Sequence, residues 1–173
     1  HPRPNRLARR QPLTFPPATQ PHCDRSRHPD TARQLGLRSL VYVDSCVLIY
    51  ALEDNSQFGE AARRCLANQL AEDRTLAISP LVQLECLVQP LARQQIDLLV
   101  RYQSWLQQFE WLSINDASFA HATALRAIHG LKTPDAMHLA TALQHGCVAL
   151  ITNDNRLEKV QVDLVCLSIT AST

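Results

Sequence analysis

Short apolar runs of four or five residues alternate along the chain with longer stretches in which apolar residues recur every three or four positions. Leu40-Val41-Tyr42-Val43 is β-branched and aromatic, ends at Asp44, and reads as a buried strand. Ser45 to Leu52 is apolar and predicts a helix folding back over the sheet. Ser56, with Glu60 just inside, reads as the cap of a helix that carries Ala61, Cys65, Leu66 and Leu70 on one face to about Glu72. Leu76 to Ser79 reads as a second strand, and Pro80 suits the first turn of the helix after it, where a missing N–H costs nothing. A helix over about 92–109 is expected to align Ile96, Leu99, Val100, Trp105 and Leu106, with a third strand at 111–114. Asp116 is the expected cap of a helix ending at His129 before Gly130, and Thr133-Pro134 opens another that Gly146 closes. Residues 148–152 and 164–167 complete five strands. Strands alternating with helices predict an α/β fold, a sandwich around a largely parallel sheet.

Composition divides the chain in two. Its 173 residues, 46% of them hydrophobic, suffice for one domain. The net charge of +1 is the sum of +6 over residues 1–38 and −5 over residues 39–173. Seven of the ten prolines also lie in 1–38, so this Arg/Pro-rich segment is expected to be a disordered leader and 39–173 the folded domain. Five of the six cysteines sit in apolar runs such as CVLIY and GCVALI, and no C-x-x-C pair occurs. That argues for buried thiols rather than a disulfide framework or a zinc site. With no apolar stretch near the ~20 residues of a membrane span, a reduced, cytoplasmic setting is the expectation.

Four acids stand where a parallel sheet binds ligands. Asp44 ends the first strand and Asp154 follows the fourth, both at carboxyl ends. Glu85 in PLVQLECL and Asp135 after Thr133-Pro134 are embedded in apolar sequence. Buried carboxylates need partners, and no basic residue lies within three positions of Asp44 or Glu85, which makes a cation a reasonable one. Carboxylate oxygens suit Mg²⁺ or Mn²⁺, ions that activate water and stabilise charge on a phosphate. Position alone leaves each acid a second role: a helix cap for Asp44, backbone donors for Glu85, the helix dipole for Asp135, a turn for Asp154.

The segments VYVDSCVLIYALE (41–53), ISPLVQLECL (78–87), LKTPDAMHLATAL (131–143) and ITNDNRL (151–157), in this order and spacing, resemble the PIN-domain ribonucleases, specifically the VapC-like toxins of toxin–antitoxin pairs. The resemblance spans roughly 40–170. It implies a PIN-like three-layer α/β/α sandwich and makes Asp44, Glu85, Asp135 and Asp154 the catalytic, metal-binding quartet. Thr152 matches a hydroxyl residue that often precedes the fourth acid and would orient a carboxylate or a water. It further implies an RNA substrate, an antitoxin partner and a homodimer. Cys46 departs from the pattern, standing where many relatives have a polar residue; a thiol is a poor ligand for a hard ion.

The expected function is therefore a Mg²⁺- or Mn²⁺-dependent endoribonuclease, with Arg156 a candidate clamp for the substrate phosphate. His138, one helical turn after Asp135, is either a phosphate contact or a hydrogen-bonded core residue. The rival reading is a catalytically weak PIN domain that acts as an antitoxin-binding module through the apolar stretch between Pro80 and Phe109. A phosphatase is disfavoured, since neither a D-x-D after the first strand nor a Gly-rich phosphate loop is present.

Overall fold

The computed structural model describes residues 39–169. The leader assigned to 1–38 lies outside the described residues, as do residues 170–173. In chain order the elements are β1 (Leu40–Val43), α1 (Ser45–Leu52), α2 (Gly59–Ala71), β2 (Thr75–Ile78), α3 (Pro80–Ala92), α4 (Ile96–Leu106), β3 (Glu110–Trp111), α5 (Asp116–His129), α6 (Thr133–Gln144), β4 (Ala149–Thr152), α7 (Asn155–Glu158) and β5 (Val165–Ser168).

The five strands form one all-parallel sheet in the order β3-β2-β1-β4-β5. Parallel neighbours require crossovers, and right-handed crossovers fix which face each helix covers. From β1 the chain steps outward through β2 to β3, which sends α1–α4 to one face. It then returns past β1 to β4, which sends α5 and α6 to the other. The result is the expected α/β/α sandwich. Because both faces are covered, the central strands carry no polar alternation: Val41, Tyr42 and Val43 in β1 and Ala149, Leu150 and Ile151 in β4 are all buried.

The strand order reverses direction between β1 and β4. At such a switch point the chain leaves the two strands toward opposite faces and a crevice opens beyond their carboxyl ends. Helices that follow a strand begin at this edge, as α1 and α3 do. The helix that precedes β4 must also begin there, because it runs antiparallel to the strand it leads into. The amino ends of α1, α3 and α6 thus gather at one rim.

Three local expectations are corrected. Ser56 does not cap α2: Phe58 holds the N-cap position, and Asn55 Oδ1 accepts from the amides of Gln57 and Phe58 at 3.0 and 2.9 Å. Asn115, not Asp116, caps α5, through a reciprocal pair with Ser118 in which each side chain accepts from the other's amide. The helix expected over 92–109 is shorter at both ends: α3 continues through Pro90 to Ala92, Gln94 adopts a positive φ of 54°, and α4 runs from Ile96 to Leu106. Pro90 lies inside α3 and lacks the N–H that would bond the Cys86 carbonyl, while the Arg93 amide still reaches Gln89 O at 3.0 Å. The face expected in that helix shifts accordingly: Tyr102 and Leu106 are buried, whereas Ile96 and Val100 stay exposed.

Candidate active site

The crevice at the switch point is a cleft of about 510 Å³ lined by Asp44, Glu85, Asp135 and Asp154, together with Ser45, Cys46, His138 and Arg156. All four acids singled out from sequence thus meet in one place. Each arrives by a different route: Asp44 directly from β1, Glu85 from the second turn of α3, Asp135 from the first turn of α6, and Asp154 from the loop after β4.

Asp44 is buried and occupies the N-cap position of α1, yet its side chain caps nothing. Instead Thr152 Oγ1 donates to Oδ2 at 2.7 Å and Ser45 Oγ lies 3.2 Å from Oδ1. Thr152 is itself fully buried, and its hydroxyl also accepts from the Asp154 amide at 3.1 Å, so it orients one acid and positions the backbone of another. Its side chain stands behind the cleft rather than in its wall. Glu85 Oε2 accepts from Ser45 Oγ at 2.6 Å and from His138 Nε2 at 2.8 Å. Burial alone would raise the Glu85 pKa, but the His138 hydrogen bond and charge, with Ser45, pull it below the usual carboxylate value.

His138 corrects the inference that Glu85 lacks a basic partner: the partner sits 53 residues along the chain. The imidazole is 2% exposed, and its Nε2 also lies 3.6 Å from Asp44 Oδ1. Burial pushes its pKa down, yet the bond to Glu85 and the charges of Asp44, Glu85 and Asp135 outweigh burial and raise it. Of the two roles open from sequence, the structure shows a hydrogen-bonded buried histidine, and it places that histidine against the site.

Asp135 is different. Burial, then the charges of Asp154 and Asp44, raise its pKa, and its Oδ2 is buried with no hydrogen-bond partner. An orphaned buried oxygen is costly, and a carboxylate next to two others is costlier still. Asp154 Oδ1 caps the short α7 by accepting from the Arg156 amide at 2.8 Å, and the residue lines the cleft. Cys46 is a half-buried thiol whose pKa burial and the Asp44 charge push up to about 12, so it remains neutral.

This donor set fits a hard divalent cation. The cleft offers carboxylate oxygens from four residues, Asp135 Oδ2 among them buried with no hydrogen-bond partner, and polar atoms of Asp44, Glu85 and His138 lie within 4.8 Å of one another. Sequence reasoning missed Ser45, and it left His138 without a place in the site. A polar residue inside the otherwise apolar VYVDSCVLIY run was the available signal for Ser45.

The family model for the PIN domain matches residues 41–163. No curated protein sequence matches the chain significantly. Among solved structures, a toxin–antitoxin complex from Klebsiella pneumoniae is 26% identical, with a TM-score of 0.60 over 72% of this chain and 95% of that one. VapBC2 from Rickettsia felis, bound to a promoter DNA fragment, gives 15% identity and a TM-score of 0.63 over 75% and 98%. VapBC-1 from nontypeable Haemophilus influenzae gives 18% and 0.59 over 75% and 97%. With its sheet order, its cleft at the switch point and a family match over most of its length, the chain belongs to the PIN-domain family of nucleases.

Proposed function

We propose that the protein is a divalent-metal-dependent endoribonuclease and the toxin of a toxin–antitoxin pair, acting in the cytoplasm. The observation that carries this reading is the meeting of four carboxylates at one cleft, with Asp135 Oδ2 buried and unpartnered. Asp44, Glu85, Asp135 and Asp154 would hold Mg²⁺ or Mn²⁺. When bound, the ion supplies charge stabilisation at the phosphate and lowers the pKa of water.

The protein's own residues set up the rest. Thr152 and Ser45 fix the carboxylate planes of Asp44 and Glu85, so these acids are ordered before substrate arrives. Arg156, exposed at the cleft wall, is suited to hold a backbone phosphate. It matters because residues 39–173 carry −5 and attract RNA poorly without local cations.

An antitoxin as partner is supported by the toxin–antitoxin complexes among the structural neighbours. It is supported also by an exposed apolar face: Leu84, Val88 and Leu91 recur at helical spacing on α3, and Ile96 and Val100 follow on α4. A homodimer is part of the same proposal. The intact acid geometry argues against a vestigial site.

Cleavage of a panel of structured RNAs, with Mn²⁺ and with chelator, tests the reading against Asp135→Asn. Cleavage by the wild-type chain with Mn²⁺ alone is expected, and equal cleavage in all conditions overturns the proposal.

A further inference from the structure

Behind Glu85 lie three buried polar side chains that apolar packing does not require. Ser79 and Tyr42 are 0% exposed and His138 is 2% exposed. Taking hydroxyls and an imidazole out of water is costly unless each is hydrogen-bonded. Here they bond to one another across three elements. Tyr42 Oη lies 2.6 Å from Ser79 Oγ and 3.0 Å from His138 Nδ1, and the opposite ring nitrogen, Nε2, lies 2.8 Å from Glu85 Oε2.

Ser79 adds an independent observation. It occupies the N-cap position of α3, where a serine hydroxyl ordinarily accepts from the helix's first amides, yet it makes no such bond. The hydroxyl is engaged with Tyr42 instead.

The hydrogen-bond inventory decides the direction of the chain. An ionised Glu85 only accepts, so His138 Nε2 carries the hydrogen. Nδ1 then accepts from the Tyr42 hydroxyl when the ring is neutral, and donates to it when the ring is charged. Ser79 gives or receives the remaining hydrogen in either case. The imidazole is therefore held at both ends. Both protein bonds to Glu85 fall on Oε2, and Oε1 has no protein partner among the described residues.

Building on the metal-dependent nuclease reading, we propose that Tyr42, anchored by Ser79, is a positioning residue: it locks His138 against Glu85, so that the protein engages Oε2 and Oε1 remains for a divalent cation. Hydrogen bonds behind a ligand typically change metal affinity or activity about 10- to 100-fold.

The test is Mn²⁺ titration of the full chain by calorimetry, with kcat and KM for RNA cleavage, on wild type, Tyr42→Phe, His138→Leu, His138→Gln and Asp44→Asn. Tyr42→Phe is expected to weaken Mn²⁺ binding about 10-fold and to lower kcat while KM is kept, and His138→Leu to do so by about 100-fold. His138→Gln, whose amide can still donate to Glu85, is expected to recover part of the His138→Leu loss, which a packing role alone would not give. If His138→Leu fails to fold, Tyr42→Phe, which removes one oxygen, still decides. Unchanged Mn²⁺ affinity and kcat in Tyr42→Phe overturn the inference, as does a directly bonded ¹⁴N in the spin-echo spectrum of Mn²⁺-loaded wild type, which would make His138 a ligand. Undiminished Mn²⁺ binding by Asp44→Asn defeats the metal-site reading itself. Loss in Asp44→Asn with no change in Tyr42→Phe defeats the positioning role alone.

Discussion

The two walls of the cleft are built on opposite terms. On the β1/α3 side, Thr152, Ser45 and His138 hydrogen-bond the carboxylates of Asp44 and Glu85. On the α6/α7 side, Asp135 leaves a buried oxygen without a partner, and the charges of Asp154 and Asp44 repel it. The first wall is ordered by the protein, and the second has a deficit that a cation would fill. A site of this kind is pre-formed where geometry must be accurate and unsatisfied where the ligand must be drawn in.

The largest expected effects test that contrast directly. Asp44→Asn and Asp135→Asn should each reduce RNA cleavage by about 100-fold or more, but their metal-free melting temperatures should move in opposite directions. Asn at 44 turns one accepting oxygen into a donor facing the Thr152 or Ser45 hydroxyl, which costs roughly 1–3 kcal/mol. Asn at 135 removes a destabilised charge. An acid with a raised pKa contributes stability below its unfolded value and loses it as the pH rises, so this variant should melt a few degrees higher at neutral pH. Differential scanning calorimetry with chelator checks the signs, and a common sign would erase the distinction between the walls.

Thr152→Val should come next. It keeps the shape but removes the donor to Asp44 and the acceptor for the Asp154 amide, and about a 10- to 100-fold loss of Mn²⁺ affinity is expected. Calorimetric titration measures it.

A smaller effect follows from pH. His138 has a raised pKa, so its stabilisation is complete below its ordinary value of 6.5 and fades as the pH rises through its higher folded value. Glu85 has a lowered pKa, so its contribution is present above its ordinary 4.5 and fades as the pH falls through its folded value. The metal-free protein should therefore gain least from this pair at alkaline pH. The decline in melting temperature from pH 6 to 9 should be shallower in His138→Gln. Smallest of all, Arg156→Ala should raise KM for RNA a few-fold and leave the melting temperature unchanged, because the side chain is exposed and stands at the rim.

Much of the fold was legible because β-branched runs and helical periodicity are local. β2 begins one residue earlier than expected and β4 one residue later, and Gly130, with φ 65°, terminates α5 as expected. Errors arose where two residues compete for one local role. Ser56 and Asp116 are good capping types, but α2 has no side-chain cap, Asn55 closing only the turn before it, and Asn115 rather than Asp116 accepts the free amide of α5. The break between the two helices of 80–109 was expected near residue 90 and falls instead at residues 93–95, where Gln94 takes a positive φ. The site was partly legible: two acids at strand carboxyl ends and two in apolar helical sequence pointed to a cation, while nothing near Glu85 in the chain indicated His138.

Sequence by itself determined which groups could carry the chemistry, since four carboxylates, a thiol near the first and an arginine near the last are properties of residue type and local position. It also determined an alternating α/β chain, since hydrophobic period is written along a single segment. Tertiary structure alone decided which acids are satisfied and which is not. Hydrogen bonds act over about 3 Å, and the groups that hold Asp44 and Glu85 come from residues 108 and 53 positions away. Only the reversal of strand order between β1 and β4, and the helices that must begin at that edge, bring them within reach.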